Sequence, residues 1–267
     1  MKLLLGSEIA DFVKERQAHQ VRRLKQSKSI TPKLAIIVTV NDPVIEVYLR
    51  LKKKYATDIG AAADLYRLEI NEVSKKVNEL NKDESVHGII IQLPISEPDK
   101  TEELVNLVSP KKDVDGLNKK TEFDPATPLA ILWLLSGFNV ELKGKNIAIV
   151  GRGKLVGGPL EKALIDQGLS PKVINRTTKD LKQELLEADV IISATGVPGL
   201  IKSDMIKQGA VVVDAGVAGE DGKTVGDVDQ SIYENRADLT ITPKRGGVGP
   251  LTVCALFDNL IRAAEKS

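Results

Sequence analysis

Tyr48 and Lys52 have the spacing of two side chains on one face of a helix. They stand four residues apart in VYLRLKKKY, within a stretch that predicts a helix over residues 42–59. A phenol beside an amine could orient a substrate, and a lysine in a partly dry site has a lowered pKa that suits proton transfer. Tyr/Lys pairs with this spacing are also common on solvated surfaces, so a surface pair is the alternative.

Gln92 and two aspartates add polar groups to the same half of the chain. Gln92 ends the apolar stretch GIIIQLP, where a buried amide needs hydrogen-bond partners and a lysine ammonium would suit its carbonyl oxygen. Asp113 and Asp115 precede Gly116 in KKDVDG, a sequence typical of a turn. Capping that turn is the alternative to ligand binding for both carboxylates, and it is the better interpretation for one of them.

The histidines and the cysteine indicate neither a hydrolytic triad nor a metal site. The two histidines are His19 and His87, and His87 stands at the predicted start of a strand, where we expect a structural role. The lone cysteine, Cys254, cannot form an internal disulfide. Because no Cys/His cluster has the spacing of zinc ligands, we expect no metal, and a reducing compartment.

Four glycines in the second half have the arrangement of a dinucleotide-binding turn. Gly151, Gly153, Gly157 and Gly158 lie in NIAIVGRGKLVGGPLEKAL, between a predicted strand and a predicted helix. Glycines at such a turn let backbone N–H groups approach a pyrophosphate at the helix N-terminus. The spacing G-x-G-x-x-x-G is one residue longer than the usual fingerprint, and a tight turn without a ligand is the alternative.

The end of the next predicted strand, KVINRTT, favours NADP over NAD. An NAD site usually has Asp or Glu here for the ribose 2′-hydroxyl, whereas Asn175, Arg176 and Thr177 include a guanidinium and no carboxylate. A guanidinium matches the 2′-phosphate of NADP, and Arg152 in the glycine turn could add a second cation. A solvated surface side chain is the alternative for Arg176. The small residues that end the strands in SATGVPGLI and VVVDAGV could form a cofactor wall, or serve only helix–sheet packing.

Two sheets are needed to position these residues. Nearly continuous apolar runs alternate with helical stretches, which predicts parallel strands covered on both faces. The first strands are predicted at residues 34–40, 63–70 and 88–93, and a second series at 146–150, 172–174, 190–193, 210–214 and 239–242. A buried helix over 124–137 connects the two series, and an amphipathic helix over 252–266 ends the chain. The predicted fold class is α/β with two domains, each a mainly parallel sheet with flanking helices, the second of Rossmann type.

Length and charge set further bounds. A chain of 267 residues is long enough for two domains. Its 38 lysines and arginines are balanced by 37 aspartates and glutamates, which argues against a nucleic-acid-binding protein. The apolar runs are far below the ~20 residues that span a bilayer, and the N-terminal run is too short for a signal peptide. We expect a cytoplasmic protein without membrane or nucleic-acid partners.

The motifs occur in an order that resembles one enzyme family. Y-x-x-x-K at Tyr48 and Lys52 is followed by VHGIIIQLP, KKDVDG, PATP, GRGKLVGGP and GGVGPLT. This ordered set, which covers nearly the whole chain, resembles the bifunctional methylenetetrahydrofolate dehydrogenase/methenyltetrahydrofolate cyclohydrolase family. The resemblance implies oxidation of 5,10-methylenetetrahydrofolate by NADP rather than NAD, and then hydrolysis of the methenyl product to 10-formyltetrahydrofolate.

The resemblance also implies an organisation of the chain. A folate-binding catalytic domain would comprise residues 1–126, with a C-terminal helix at 250–267 returning to it. Residues 127–249 would form the NADP-binding domain, and the folate would lie in a cleft between the two. Members of the family are usually homodimers that associate through the cofactor domain, so a homodimer is expected here.

Roles for individual residues follow from the same resemblance. Lys52 is implied to handle the proton in the cyclohydrolase step, with Gln92 tuning it. Tyr48 would orient the folate, and Asp115 would bind the amino edge of the pterin. The other implied folate contacts are Leu93, Pro94, Gly246, Gly247 and Pro250. The implied cofactor contacts are Thr127, Gly151, Arg152, Gly153, Val156, Gly157, Asn175, Arg176, Thr177, Ala194, Thr195, Gly196 and Gly216.

The sequence departs from the family pattern in several places. The departures are Ile45 and Gly153 in place of serine, Ala126 in place of cysteine, and a segment 116–125 that is shorter than usual. In addition, Lys244 and Arg245 stand beside the GGVGP motif, where they could meet a phosphate, a glutamate tail or solvent. Three alternatives therefore remain: a dehydrogenase without useful cyclohydrolase activity, a non-catalytic dinucleotide- or folate-binding module, and a two-domain dehydrogenase for another substrate, such as shikimate or an amino acid.

Overall fold

The computed structural model of the chain describes residues 1–220 and 223–267. Its strands are β1 Lys2–Leu3, β2 Lys33–Val38, β3 Ala62–Arg67, β4 Gly88–Ile91, β5 Ile147–Val150, β6 Lys172–Ile174, β7 Val190–Ser193, β8 Val211–Asp214, β9 Ala218–Glu220, β10 Lys223–Val225 and β11 Thr240–Ile241. Its helices are α1 Gly6–Lys28, α2 Pro43–Ile59, α3 Ile70–Lys82, α4 Thr101–Val105, α5 Ala126–Gly137, α6 Gly157–Asp166, α7 Leu181–Leu186, α8 Ile232–Asn235 and α9 Val248–Glu265. Within the described residues, no helix is long and apolar enough to cross a membrane.

The chain divides into two compact units. The first unit comprises Asp11–Ala126 and Val253–Ser267, and the second comprises Met1–Ala10 and Thr127–Thr252. Each contains a parallel sheet with helices along the chain between its strands. The predicted two-domain α/β class is therefore confirmed.

The first unit is built on a three-stranded parallel sheet in the order β3–β2–β4. The central strand β2 and the strand β4 are buried almost along their whole length, as their unbroken apolar sequences predict. Helix α2 follows β2. It begins where the Asp42 carboxylate accepts hydrogen bonds from the N–H groups of Val44 and Ile45, and it ends at Gly60, which has the left-handed φ of +80°. These boundaries agree with the helix that the sequence predicts.

The second unit is built on a six-stranded parallel sheet in the order β1–β11–β8–β7–β5–β6. The chain runs outward from β5 in both directions, to β6 on one side and to β7 and β8 on the other. Ligands of such doubly wound sheets bind beyond the carboxyl ends of the strands, where the order reverses. The antiparallel hairpin of β9 and β10 was not predicted from the sequence.

The N-terminal residues lie in a different unit from the one that the sequence predicts. Residues 1–126 were expected to form one domain, but β1 pairs in parallel with β11, with Lys2 opposite Thr240. Met1–Ala10 therefore belongs to the second unit. The division within the C-terminal helix likewise falls after Thr252 rather than before Pro250. A strand of two residues has no periodicity of its own, and its place depends on a partner far along the chain.

Candidate functional site

Lys52 and Gln92 are joined by a hydrogen bond in the first unit. Lys52 Nζ donates to Gln92 Oε1 over 2.8 Å. Gln92 follows β4 directly, and its Nε2 donates to the carbonyl oxygen of Leu93 over 2.9 Å, which directs Oε1 towards the lysine. The backbone N–H of Gln92 donates to Ile37 on β2, so the sheet holds the amide in place. Leu93 is partly buried, and Pro94, which follows it across a cis peptide bond, is exposed.

The charges of Lys52 and Asp115 act on one another. Burial lowers the pKa of Lys52 below its usual value, and the Asp115 carboxylate partly offsets this decrease. Burial also raises the pKa of Asp115, while the nearby lysine lowers it. Tyr48 lies one helical turn before Lys52, and burial raises the pKa of its phenol, which stays protonated at neutral pH. The first unit thus brings together an amine, a carboxylate, an amide and a phenol, the four groups that the sequence singles out.

The two aspartates of KKDVDG have different surroundings. Asp113 is buried, and its Oδ2 accepts a hydrogen bond from the backbone N–H of Asn118 over 2.8 Å. Its carbonyl accepts the N–H of Gly116 over 3.1 Å, which closes the turn. Asp113 therefore caps the turn, as expected for one of the pair, and leaves Asp115 as the carboxylate beside Lys52.

His87 and the departures from the family pattern are structural in the first unit. His87 is buried, its Nδ1 accepts a backbone N–H of β2 over 3.2 Å, and burial lowers its pKa. Ile45 is a buried residue of α2, and Ala126 is buried at the start of α5. In the described part of the chain, no group of three or more His, Cys, Asp or Glu side chains could hold a metal ion.

The glycine motif near the C-terminus belongs to the second unit. Gly246 has a left-handed φ of +82°, and its carbonyl accepts the N–H of Ser7 over 3.0 Å. Gly247 is buried, and a Cβ added to Gly6 would lie 1.9 Å from its carbonyl oxygen. Pro250 lies in the first turn of α9. These three predicted folate contacts belong to the second unit, whereas the first unit contains Tyr48, Lys52, Gln92, Leu93, Pro94 and Asp115.

The two cations before this motif have separate surroundings. Lys244 lies over the ring of Tyr233, with Nζ 5.1 Å from the ring centroid. Arg245 is exposed. A cation held against an aromatic face is partly oriented by it, and an exposed guanidinium is free to take several rotamers.

The turn between β5 and α6 depends on glycine at two positions. Gly151 has φ of +97°, and its N–H donates to the carbonyl of Ile174 over 2.8 Å. A Cβ added to Gly157 would lie 1.9 Å from the carbonyl oxygen of Gly151, so the backbones approach too closely for any side chain. Val156, the residue before α6, has no side-chain acceptor for the N–H groups at the helix N-terminus. The turn therefore fits the pyrophosphate of a dinucleotide.

The residues predicted to select NADP lie beside this turn and after β6. Asn175 Oδ1 accepts hydrogen bonds from both the N–H and the hydroxyl of Thr177, which forms a tight turn, and Arg176 at its tip is exposed. Arg152 Nε donates to Glu161 Oε2 on α6 over 2.9 Å. The Glu161 carboxylate therefore holds Arg152, and the exposed part of the guanidinium can still meet an anion. The pairing of Arg152 with Glu161 was not predicted from the sequence.

Two aspartates that the sequence did not indicate, Asp214 and Asp227, hold the backbone that follows strands β7 and β8. Asp227 is buried, and its Oδ2 accepts from Ser193 Oγ over 2.5 Å and from the N–H of Thr195 over 2.7 Å. Asp214 Oδ1 accepts the N–H groups of Gly216 and Asp227, and burial raises the pKa of Asp214. An aspartate at the end of an apolar strand, as in VVVDAGV, is the signal that could have revealed this pair.

The remaining predicted cofactor contacts lie in the second unit too. Ala194, Thr195 and Gly196 directly follow β7, Gly216 follows β8 by two residues, Gly153 lies in the glycine turn, and Thr127 is in the first turn of α5. A Cβ added to Gly216 would lie 2.0 Å from Asp227 Oδ1, so only glycine fits beside that carboxylate.

One α/β unit contains a dinucleotide-binding turn, and the other contains a desolvated amine beside a carboxylate. Together these features indicate a two-domain enzyme that uses a nicotinamide dinucleotide. Comparison with known protein families identifies this class more closely. The catalytic domain of tetrahydrofolate dehydrogenase/cyclohydrolase matches residues 4–115, and the NAD(P)-binding domain of the same family matches residues 125–267. The chain therefore belongs to the tetrahydrofolate dehydrogenase/cyclohydrolase family, which confirms the resemblance seen in its motifs.

Individual relatives are similar along the whole chain. The bifunctional protein FolD of Staphylococcus aureus strain Newman is 38% identical, with 99% of this chain and 96% of that protein covered. The crystal structure of the bifunctional enzyme FolD from Campylobacter jejuni is 35% identical, with a TM-score of 0.92 over 100% of this chain and 99% of that one. The Trypanosoma brucei methylenetetrahydrofolate dehydrogenase-cyclohydrolase, solved with NADP cofactor and inhibitor, is 28% identical, with a TM-score of 0.91 over 99% and 97%.

Proposed function

We propose that Lys52 is the proton-transfer group in the second step of a two-step reaction. The chain oxidises 5,10-methylenetetrahydrofolate to the methenyl compound with NADP, and it hydrolyses that compound to 10-formyltetrahydrofolate. NADP, when bound, supplies the acceptor for the hydride. The observation that carries the proposal is the hydrogen bond of 2.8 Å from Lys52 Nζ to Gln92 Oε1, beside the charge of Asp115.

The hydrolysis needs a proton acceptor because water attacks a cationic carbon. A C–O bond forms between the water oxygen and the bridging carbon, and the bond from that carbon to N5 breaks with its electron pair passing to N5. Of the two protons of the water, one ends on N5 and the other is released. Burial lowers the pKa of Lys52, which increases the neutral fraction that can accept a proton from the attacking water. Gln92 Oε1 accepts a hydrogen bond from the Lys52 amine, and the bond from Gln92 Nε2 to the Leu93 carbonyl fixes the orientation of that oxygen. This supports a fixed orientation of the amine during proton transfer.

Asp115 and Tyr48 would bind and orient the folate. A partly buried carboxylate accepts strong hydrogen bonds from a donor edge such as the amino group and ring N–H of a pterin. Asp115 has this character, because burial raises its pKa and only the lysine opposes that effect. Tyr48 offers a protonated phenol and an aromatic face on the same side of α2 as the amine. Leu93, Pro94, Gly246, Gly247 and Pro250 are proposed as further folate contacts.

The second unit would hold NADP along the carboxyl ends of its strands. The close approach of Gly151 and Gly157 makes room for the pyrophosphate, with Arg152, Gly153 and Val156 around it. Asn175, Arg176 and Thr177 would surround the 2′-phosphate, and the wall formed by Thr127, Ala194, Thr195, Gly196 and Gly216 would face the rest of the nucleotide. A guanidinium and two hydrogen-bonding side chains, without a carboxylate, support a phosphate at that position.

Replacing Lys52 by methionine tests the proposal, with Lys53→Met as the matched control. Methionine keeps most of the aliphatic length without the amine, and Lys53 is an exposed neighbour on the same helix. We expect hydrolysis of 5,10-methenyltetrahydrofolate, followed by its absorbance, to fall by a factor of about 100 or more in Lys52→Met and to be unchanged in Lys53→Met. Equal hydrolysis by the two variants would remove Lys52 from the mechanism.

We also propose the finer features implied by the family: a homodimer that associates through the cofactor unit, a cytoplasmic location, and a supply of one-carbon units to purine synthesis. The sequence has a single cysteine, Cys254, and therefore no internal disulfide, which is consistent with a reducing compartment. Sedimentation of the purified chain tests the dimer, because a single monomeric species at micromolar concentration would contradict it.

A further inference from the structure

Asn259 connects the C-terminal helix to both ends of the loop that carries Asp115. Its side chain is fully buried in the first unit, and Nδ2 donates to the carbonyl oxygens of Val114 and Asp124, each over 2.9 Å. These acceptors lie 145 and 135 positions earlier in the chain. Residues 114–124 are here named the short loop. Both N–H donors of one buried amide are thus used on the two ends of this loop.

Arg262 of α9 and Lys266, the first residue after α9, also contact the short loop. Arg262 lies over the ring of Phe123, with the guanidinium carbon 5.7 Å from the centroid, and Lys266 pairs with Glu122 over 3.1 Å. Asn259 and Arg262 are three residues apart and so lie on one face of α9, and Lys266 follows Arg262 by four residues, just beyond the end of the helix. The three residues form a row that contacts Asp124, Phe123 and Glu122 in turn, so they meet several successive residues of the loop and not a single point.

The loop itself is closed tightly at its ends. Gly116 has a left-handed φ of +74°, and a Cβ added there would lie 2.7 Å from the backbone nitrogen of Pro125. The N–H of Ala126 donates to the carbonyl of Asp115 over 3.4 Å. The two legs of the loop are therefore in backbone contact, and a shift at either end moves the peptide units on both sides of Asp115.

We propose that Asn259 is a positioning residue that sets the place of Asp115 in the folate site. The inference rests on the proposed role of Asp115 in folate binding. Val114 immediately precedes Asp115, so a donor on the Val114 carbonyl sets the peptide plane from which the Asp115 side chain leaves the backbone. Without Asn259, the buried Val114 carbonyl and the partly buried Asp124 carbonyl lose their donor, and the loop must shift to find water or another partner.

A purely structural role would reduce stability without changing the site, and two measurements separate the roles. One is the KM for the folate substrate, which depends on where the Asp115 carboxylate lies. The other is the pH dependence of hydrolysis, because Asp115 is the charged group that raises the pKa of Lys52. The other polar neighbours of Lys52, which are Tyr48 and Gln92, are uncharged at neutral pH. A displaced Asp115 would therefore shift the Lys52 limb of the profile to lower pH.

The experiment compares Asn259→Ser with Asn81→Ser in the full chain. Asn81 is a matched control, because its amide donates to Leu107 O over 2.8 Å and accepts from Ser109 N over 2.9 Å within the same unit. In Asn259→Ser we expect the KM for 5,10-methylenetetrahydrofolate to rise about tenfold, with the KM for NADP unchanged. The part of the pH–rate profile of hydrolysis that reports on Lys52 should shift to lower pH. Asn81→Ser should lose thermal stability without either change.

Each outcome decides a separate question. Equal folate KM and equal pH limbs in the two variants would overturn the positioning role. Because the folate KM is measured in the dehydrogenase reaction, it stays interpretable if Lys52 proves unimportant, and inactivity of the unmodified chain would instead overturn the proposed function. If Asn259→Ser does not fold, Arg262→Met tests the same row of contacts. A KM increase of about twofold to threefold supports the inference, and an unchanged KM contradicts it.

Discussion

Asp227 accepts a hydrogen bond from the backbone N–H of Thr195 over 2.7 Å, from a position 32 residues later in the chain. The same carboxylate oxygen accepts the hydroxyl of Ser193 at the end of β7. Since Ser193 and Thr195 flank Ala194, this one buried acid holds the backbone that leads into the proposed cofactor wall. The geometry of that wall therefore depends on a residue outside the glycine motif.

Replacing Asp227 by alanine should weaken both the fold of the second unit and the binding of NADP. The buried Ser193 hydroxyl and the partly buried N–H of Thr195 would lose their acceptor, at a cost of about 1–3 kcal/mol for each unsatisfied group. Chemical denaturation would measure this loss, and fluorescence titration would measure the Kd for NADP. Asp204→Ala is the control, because Asp204 pairs with Lys182 at the surface, where ion pairs contribute about 0–1 kcal/mol. NADP affinity equal to that of the control would show that Asp227 does not support the cofactor wall.

Two glycines of the dinucleotide turn should respond differently to alanine. A Cβ at Gly157 would lie 1.9 Å from Gly151 O, whereas a Cβ at Gly153 meets nothing within 4 Å in the described structure. We expect Gly157→Ala to displace the turn and to raise the Kd for NADP by about two orders of magnitude or to abolish binding, because an overlap with backbone cannot be relieved by a side-chain rotation. Gly153→Ala should bind NADP nearly as well as the unmodified chain. Comparable affinities in the two variants, measured by calorimetric titration, would place the pyrophosphate elsewhere.

Arg176 should determine the preference for NADP over NAD. Arg176→Ala removes the guanidinium that follows β6, so the ratio of kcat/KM for NADP to that for NAD should fall about tenfold. The values for NAD should change little, because NAD has no 2′-phosphate. Lys179→Ala, which removes another exposed cation three residues later, is the control for general electrostatic attraction. If both variants lower the ratio equally, the preference comes from net charge in this region.

The pH dependence of hydrolysis should report on Asp115. The Asp115 carboxylate raises the pKa of Lys52, in opposition to burial, so Asp115→Asn should lower that pKa further. Hydrolysis that depends on the neutral amine increases as pH rises through the pKa of Lys52, and the variant should therefore reach its plateau at lower pH. The rate of hydrolysis at saturating substrate, measured as a function of pH, gives this limb. A limb that stays in place or moves to higher pH would contradict an interaction between the two groups.

Much of the fold follows from local patterns. The apolar runs predicted every strand of the two main sheets except β1. The clearest were β2, β4, β5 and β7, because a buried parallel strand needs a nearly unbroken apolar sequence that can be recognised without its partners. Helix α2 was equally predictable, since Asp42 and Gly60 cap it locally. Tyr48 and Lys52 were found for the same reason, because helical spacing alone puts them on one face.

Tertiary structure decided the features that join distant parts of the chain. Residue types and spacing did not distinguish Asp113 from Asp115, and the resemblance implied a ligand role for Asp115 alone. The folded first unit gives the physical difference, because Asp113 caps a turn and the charge of Asp115 acts on Lys52. The assignment of Met1–Ala10 to the second unit, the Asp227 contacts and the Asn259 contacts depend on partners far away in sequence. The types and spacing of residues therefore determine which chemistry is available, because they act over one helical turn or one strand. Which groups face each other, and how far burial changes their pKa, depends on packing between segments that no local pattern encodes.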